Sequence, residues 1–136
     1  HKEYRRQRQM CIRDRYVDDA SFALSQARGK RRAGRSKLAI RRALGVHALD
    51  NTLIDQAVAD ADEGISDGEL AAALRHAARR RLGPYARNDV DRPTRQRHLA
   101  SLARAGFSLV IARQVMDLGS DDEADTLAGD LRTPVG

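Results

Sequence analysis

Short runs of small apolar residues at helical spacing, closed off by polar caps or glycines, constrain the fold of this chain most. Ile40, Ala43 and Leu44 recur at intervals that place them on one stripe of a helix. Gly83-Pro84 stops the longest run, because proline lacks an amide donor and disfavours a helical residue before it. Aromatic residues make up only 4% of the chain. The pattern therefore predicts an all-α protein of closely packed small helices rather than a β-sandwich or barrel.

The spacing predicts six helices. Asp18 or Asp19 is expected to cap the first, which runs to about Lys30 and turns Phe22, Ala23 and Ala27 to one face. Helix-capping chemistry places the other starts at Ser36, at Asp50, at Ser66 with Glu69 as a capping box, at Asp91 with Pro93, and at Ser108.

An internal repeat with an offset of 58 residues connects the two halves of the chain. Ser36 aligns with Thr94, Leu44 with Leu102 and Ala48 with Gly106 without a gap. Each copy is interpreted as a helix, a turn with a small residue, a polar cap and a second short helix.

The first fifteen residues lack the periodicity and capping residues of the rest. Arg5 to Arg15 can be encoded by a DNA string that resembles a transposase-type sequencing-library adapter. We therefore interpret residues 1–15 as an unstructured scar and exclude them from the fold. A disordered basic arm is the alternative.

Charge in the remaining chain is arranged in blocks. Without residues 1–15 it carries 19 basic and 17 acidic residues and no cysteine, which excludes thiol catalysis, disulfides and cysteine-based zinc sites. Eight basic and no acidic residues lie between Arg28 and Arg42, and seven acidic and no basic residues lie between Asp50 and Glu69. The chain has no apolar run that could span a membrane and no signal-peptide core, so we expect a cytoplasmic protein.

Two segments of the sequence resemble the RecX regulatory proteins. The segment YVDDASFA at Tyr16 to Ala23, followed by GRSKLAIRRAL and LDNTLIDQAV, is similar to their second repeat, and ARAGFSLVIARQVM at Ala103 to Met116 is similar to the end of their third. The resemblance covers about residues 16–116. It implies tandem three-helix repeats in an elongated helical array, which bind the RecA recombinase filament and restrain its recombination and SOS-signalling activities. The residues that carry the family motifs are Asp18, Asp19, Phe22, Gly106 and Phe107.

This resemblance gives the expected domain organisation. Residues 16–62 correspond to the second repeat and residues 63–118 to the third, while residues 119–136 are expected to be a disordered acidic tail. The family's first repeat is expected ahead of Tyr16, so the chain is interpreted as N-terminally truncated. Ala48 stands where the family has glycine, which strains the turn if that position needs a positive φ.

No residue pattern indicates catalysis. His47, His76 and His98 lack the spacing of a metal-binding helix, no glycine-rich phosphate loop is present, and no serine has a plausible base. We therefore predict a non-enzyme with no cofactor, no metal site and no catalytic residue.

The basic residues are the candidate partner-binding site. A RecA-filament modulator and a DNA-binding helix-turn-helix module are the two hypotheses, and the small net charge favours the first. The partner is then the RecA filament, with single- or double-stranded DNA as a further candidate, and the protein is expected to be a monomer. The predicted basic strip consists of Arg28, Lys30, Arg31, Arg32, Arg35, Lys37, Arg41, Arg42, Arg75, Arg79 and Arg80.

Overall fold

The computed structural model describes the backbone of residues 2–132 and the side chains of residues 14–132. This part of the chain is all-α, as predicted, with one isolated backbone bridge between Ile65 and Arg132. The helices are α1 (Lys2–Arg32), α2 (Lys37–Gly45), α3 (Asn51–Ala61), α4 (Gly68–Arg80), α5 (Arg92–Arg104), α6 (Leu109–Met116) and α7 (Asp121–Asp130), with a 3-10 turn at Gly83–Tyr85 between α4 and α5.

Helix α1 begins well before the predicted position. Its backbone is helical from Lys2, so the prediction that residues 1–15 are unstructured is wrong for residues 2–15, and residue 1 lies outside the described part. Asp18 and Asp19 lie within the helix and do not cap it. The reason is local, because the segment before Gly29 contains no glycine or proline and many residues that favour helix.

The first hydrophobic cluster joins α1, α2 and α3. Ala23 and Ala27 of α1 are fully buried against Ile40 and Leu44 of α2 and Ile54 of α3. The small alanine side chains allow α3 to pack closely against α1.

The second hydrophobic cluster is built around α4. Residues 70–74 of α4 are all buried, since α1, α5, α6 and α7 contact this helix from different sides. Ala-rich sequence suits such a central helix, because small side chains let several neighbours approach. Leu102, Phe107 and Val115 complete the cluster from α5, α6 and the turn between them.

The C-terminal segment folds onto this second cluster, so the predicted disordered tail is wrong for residues 119–132. Ser120 caps α7 by accepting a hydrogen bond from the Glu123 amide, and Ala124 and Leu131 are buried. The Ser66 amide donates to the Leu131 carbonyl at 2.7 Å. Packing of this apolar face against the core built by the rest of the chain stabilises so short a helix. Residues 133–136 lie outside the described part.

Most predicted helix caps are confirmed. The side chains of Ser36, Asp50, Asp91 and Ser108 each accept a hydrogen bond from an amide in the first turn of the following helix. Besides Asp18 and Asp19 in α1, the predicted cap also fails at α4, which Asp67 caps instead of Ser66. The Ser66 hydroxyl donates to the Leu131 carbonyl, and Glu69 is engaged by Arg31 and Lys37, so the predicted capping box does not form.

Burial and backbone conformation recur at the predicted offset of 58 residues. Leu44 and Leu102 are both fully buried, and Ala48 and Gly106 both have positive φ, at 59° and 98°. Asp50 and Ser108, at the same offset, each cap the next helix. The assignment of these halves to two repeats stays a prediction.

The strain at Ala48 can be tested by substitution. Ala48 is exposed, so Ala48→Gly removes no buried contact and relieves the left-handed conformation. We expect the free energy of unfolding to rise by about 1 kcal/mol in urea titrations. The control Ala100→Gly, in the exposed middle of α5, should lower it by about 1 kcal/mol. A decrease for both variants would contradict the strain at Ala48.

Candidate functional site

Arg31 lies at the centre of the junction between the two hydrophobic clusters. Its side chain is only 5% exposed, and Nε and Nη2 donate to the two carboxylate oxygens of Asp62, each at 3.0 Å. Nη1 donates to Glu69 at 2.7 Å and to the Arg35 carbonyl at 3.0 Å. Two carboxylates therefore neutralise one buried guanidinium, with the two-point geometry that only arginine provides.

Backbone groups from both sides complete this junction. Glu69 also accepts from the Lys37 amide at 2.7 Å, and Arg75 donates from Nη1 to the Arg31 carbonyl at 3.0 Å. The Ser36 hydroxyl is fully buried and donates to the Ala105 carbonyl at 2.7 Å while it caps α2. The α1–α2 turn is thereby fixed to both α4 and the end of α5.

Two glycines allow this close approach. Gly34 has a φ of 80°, and a Cβ there would lie 2.8 Å from the His76 backbone nitrogen. A Cβ at Gly106 would likewise lie too close to the side chains of Ser36 and Leu38 across the junction. The turn between α1 and α2 thus lies directly against the backbone of α4.

The predicted basic strip is not one continuous surface. Arg31 is buried in the junction and Arg75 is half-buried against the Arg31 carbonyl, so both hold the fold together and are not available as a strip. Their placement on an exposed strip was wrong. The reason is long-range, since the acidic partners of Arg31 lie 31 and 38 residues along the chain.

Lys37 and Arg41 share an acidic partner on the neighbouring helix. Arg41 donates to both carboxylate oxygens of Asp55, at 2.7 and 2.6 Å, and the Lys37 Nζ lies 3.9 Å from the same group. The hydrogen bond from Arg41 lowers the pKa of Asp55 and the same bond raises the pKa of Arg41. These exposed charges are partly compensated before any partner binds.

Arg35, Arg79 and Arg80 come together in one cleft. The cleft has a volume of about 360 Å³ and lies between the α1–α2 turn, α4 and the end of α5. Arg104 and His76 line it as well, and neither was among the predicted binding residues. The sequence is rich in arginine between Arg75 and Arg104, but no local signal places the end of α5 beside α4.

The other predicted basic residues lie on the surface. Arg28 and Arg32 line a shallow groove along α1, Arg42 is exposed on α2, and Lys30 is half-buried. Arg28, Arg32 and Arg42 are therefore the residues of the predicted strip that remain most accessible, together with the cleft arginines.

The family-motif residues occupy different environments. Phe22 is partly exposed, and its ring makes an edge contact with His47 at a centroid distance of 5.1 Å. Phe107 is buried, and its ring lies 5.8 Å from that of His76. Gly106 has a φ of 98° in the turn between α5 and α6, and Asp18 and Asp19 lie on α1 without a capping role.

His98 has a local structural role. Its Nδ1 accepts a hydrogen bond from the Gly83 amide at 3.0 Å, and burial followed by the charge of Arg97 lowers its pKa. Tyr85 donates to Asp125 at 2.8 Å, and burial together with this bond raises the Tyr85 pKa. Both groups hold the segment after α4 against its neighbours.

The chain is similar over most of its length to proteins named regulatory protein RecX. It is 36% identical over 107 residues to the one from Myxococcus xanthus, which covers 78% of this chain and 56% of the relative. The chain belongs to the RecX family. The RecX protein from Agrobacterium fabrum is 27% identical over 112 residues, which cover 82% of this chain and 58% of the relative. The one from Xanthomonas citri is 34% identical over 92 residues, which cover 68% of this chain and 52% of the relative. The chain thus spans about half the length of these curated relatives.

Other comparisons add nothing to the RecX assignment. No protein-family model and no solved structure is significantly similar to the chain. Within residues 2–132 no helix is both long and apolar enough to cross a bilayer. The described residues also contain no group of three histidine, cysteine or acidic side chains placed to hold a metal ion.

The role of Arg31 can be tested by truncation. Arg31→Ala leaves two carboxylates near each other without their cation, so we expect the free energy of unfolding to fall by about 3–5 kcal/mol. The neighbouring Arg32→Ala, at an exposed position, should change it by no more than about 0.5 kcal/mol. Chemical denaturation of both variants gives the comparison, and similar values for the two would exclude the junction role.

Proposed function

We propose that this chain is a regulatory protein that binds the RecA recombinase filament and inhibits its recombination and SOS-related activities. The similarity to several proteins named regulatory protein RecX carries this proposal. On this proposal the chain restrains RecA as the RecX family is expected to do, by binding to the filament rather than by catalysis.

The accessible arginines support a binding role. Arg28, Arg32 and Arg42 are exposed, and no ion pair occupies them among the side chains of residues 14–132. This positively charged surface would bind an acidic groove on the filament. Long-range electrostatic attraction would speed the association of the two proteins. The junction at Arg31 would hold this surface in a fixed orientation relative to α4.

The two hydrophobic clusters support the proposed repeat organisation. One cluster falls within residues 16–62, and the other is built mainly from residues 63–118 with added contacts from α7. We propose that these are the second and third repeats of the family, each with its own hydrophobic cluster and joined through the polar junction at Arg31.

Charge reversal tests the binding surface. We expect Arg28→Glu, Arg32→Glu and Arg42→Glu together to raise the concentration needed for half-inhibition of RecA-dependent strand exchange about tenfold or more, because each favourable contact becomes repulsive. Arg31 and Arg41 are left intact, since both form ion pairs within the protein.

A matched control separates local from overall charge. Arg87→Glu, Arg92→Glu and Arg113→Glu change three exposed residues outside the strip and give the same net charge. This variant should inhibit almost as well as the parent. Equal inhibition by both triple variants and the parent would remove the surface from the mechanism, and a parent that does not inhibit strand exchange would refute the proposed function.

Direct DNA binding is a second candidate function. The turn between α5 and α6 is short and contains Gly106, as in a helix-turn-helix pair. Binding to bare DNA that weakens steeply with salt, in the absence of RecA, would favour this candidate.

A further inference from the structure

The cleft lined by Arg35, Arg79, Arg80 and Arg104 concentrates positive charge that nothing in the described part of the protein neutralises. Across the side chains of residues 14–132, none of these guanidinium groups forms an ion pair or a side-chain hydrogen bond, whereas Arg31, Arg41 and Arg95 all do. The four come from three separate elements, so no single helix face explains their convergence.

His76 supplies a second, independent feature of this cleft. Its Nε2 is buried and has no hydrogen-bond partner among the described residues. Buried polar atoms in proteins are nearly always satisfied, so an unpartnered ring nitrogen beside unpaired arginines calls for an explanation. An anion in the cleft would provide one, because an oxygen atom could accept a hydrogen bond from Nε2.

The cleft is held in shape by the junction beneath it. The Arg35 carbonyl accepts from Arg31, and Gly34 lies against the α4 backbone at His76. The ring of Phe107 lies against His76 at 5.8 Å. The positions from which Arg35 and His76 extend are therefore fixed before any ligand arrives, which reduces the ordering that binding requires.

We propose that this cleft binds a multiply charged phosphate group, such as the polyphosphate of a nucleotide, with the four arginines around it and His76 donating from Nε2. Several guanidinium groups in one small cleft suit a ligand that concentrates several negative charges, whereas each phosphodiester of a nucleic-acid strand carries one. The volume of about 360 Å³ lies at the lower end of the range for small-molecule sites, about 300–1,000 Å³. This inference does not rest on the proposed action on RecA.

Binding would be linked to protonation of His76. Burial first, then the charges of Arg80 and Arg35, lowers the pKa of His76 below its ordinary value of 6.5. The charged groups that line the cleft around His76 are all arginines: Arg79 and Arg80 of α4, Arg35 of the α1–α2 turn and Arg104 of α5. A bound polyanion would place negative charge near His76 and favour its protonated ring, so binding would raise the pKa of His76. Binding would then be accompanied by proton uptake as the pH falls toward and below 6.5.

Calorimetry with inorganic pyrophosphate and with ATP, each without RecA or DNA, tests the site. We expect Arg79→Gln with Arg104→Gln to weaken binding of both probes about tenfold or more. Arg87→Gln with Arg92→Gln, at exposed positions outside the cleft, should leave binding within about twofold after the same loss of charge. Thermal unfolding of each variant checks that it folds. No binding to the parent, or equal losses in the two double variants, would overturn the proposal.

NMR of the histidine rings gives a readout that a merely structural role would not move. Saturating pyrophosphate should raise the titration midpoint of His76, while that of His98, which lies outside the cleft, stays within error. His76→Gln should reduce the gain in affinity between pH 7.5 and pH 6.0 by about threefold or more relative to the parent. A His76 midpoint unmoved by pyrophosphate would overturn the assignment of Nε2.

An unphosphorylated single-stranded oligonucleotide distinguishes the source of the phosphate. Weaker binding than pyrophosphate at equal ionic strength supports a site for a multiply charged group. Tighter binding of the oligonucleotide that depends on Arg79 and Arg104 would overturn that choice and assign the cleft to a phosphodiester strand. Neither result bears on inhibition of strand exchange, so failure of this site and failure of the proposed function remain distinguishable.

Discussion

The ion network of Arg31 is the interaction on which the arrangement of the two halves depends. One guanidinium, 5% exposed, contacts Asp62 after α3, Glu69 in α4 and the carbonyl of Arg35. A buried ion network is not a strong source of net stability, because desolvation of the charges offsets much of their attraction. Its directional contacts do, however, define one arrangement of the α1–α2 turn against α4. The network therefore fixes the orientation of the turn through directional hydrogen bonds, while its net contribution to stability is expected to be small.

Local chemistry explains how much of the fold could be predicted. Ser36, Asp50, Asp91 and Ser108 mark helix starts because a cap needs only a polar side chain and the next few amides, all close in sequence. The two errors at the ends of the chain have different origins. Helix α1 continues upstream because nothing in its sequence stops it, whereas α7 is stable only because Ala124 and Leu131 meet a core built by distant residues. Composition of an acidic segment cannot reveal such a receiving surface.

Part of the charge in the alternating blocks forms ion pairs within the protein, which the sequence alone did not reveal. The basic block from Arg28 to Arg42 was interpreted as a surface for partners, yet Arg31 and Arg41 pair with Asp62, Glu69 and Asp55 of the acidic block that follows. Blocks of opposite sign in one small chain attract each other before they attract a partner. The arginines that remain available are those that the fold leaves without an acidic neighbour, and this selection depends on tertiary contacts that no helix period encodes.

The buried arginines hold the backbone of the turn that carries one of the accessible arginines, so their substitution affects both stability and the position of that residue. Arg31 holds the Arg35 carbonyl, and Arg75 holds the Arg31 carbonyl, so the turn that presents Arg35 to the cleft is positioned by two residues of the same charge. Removing either would displace Arg35 while also lowering stability, and a loss of binding would then have two causes. Arg79 and Arg104 have no such hydrogen bonds among the described residues, although they line the same cleft. Their substitution alters the charge of the cleft and leaves the junction intact, so an effect on binding can be attributed to charge itself.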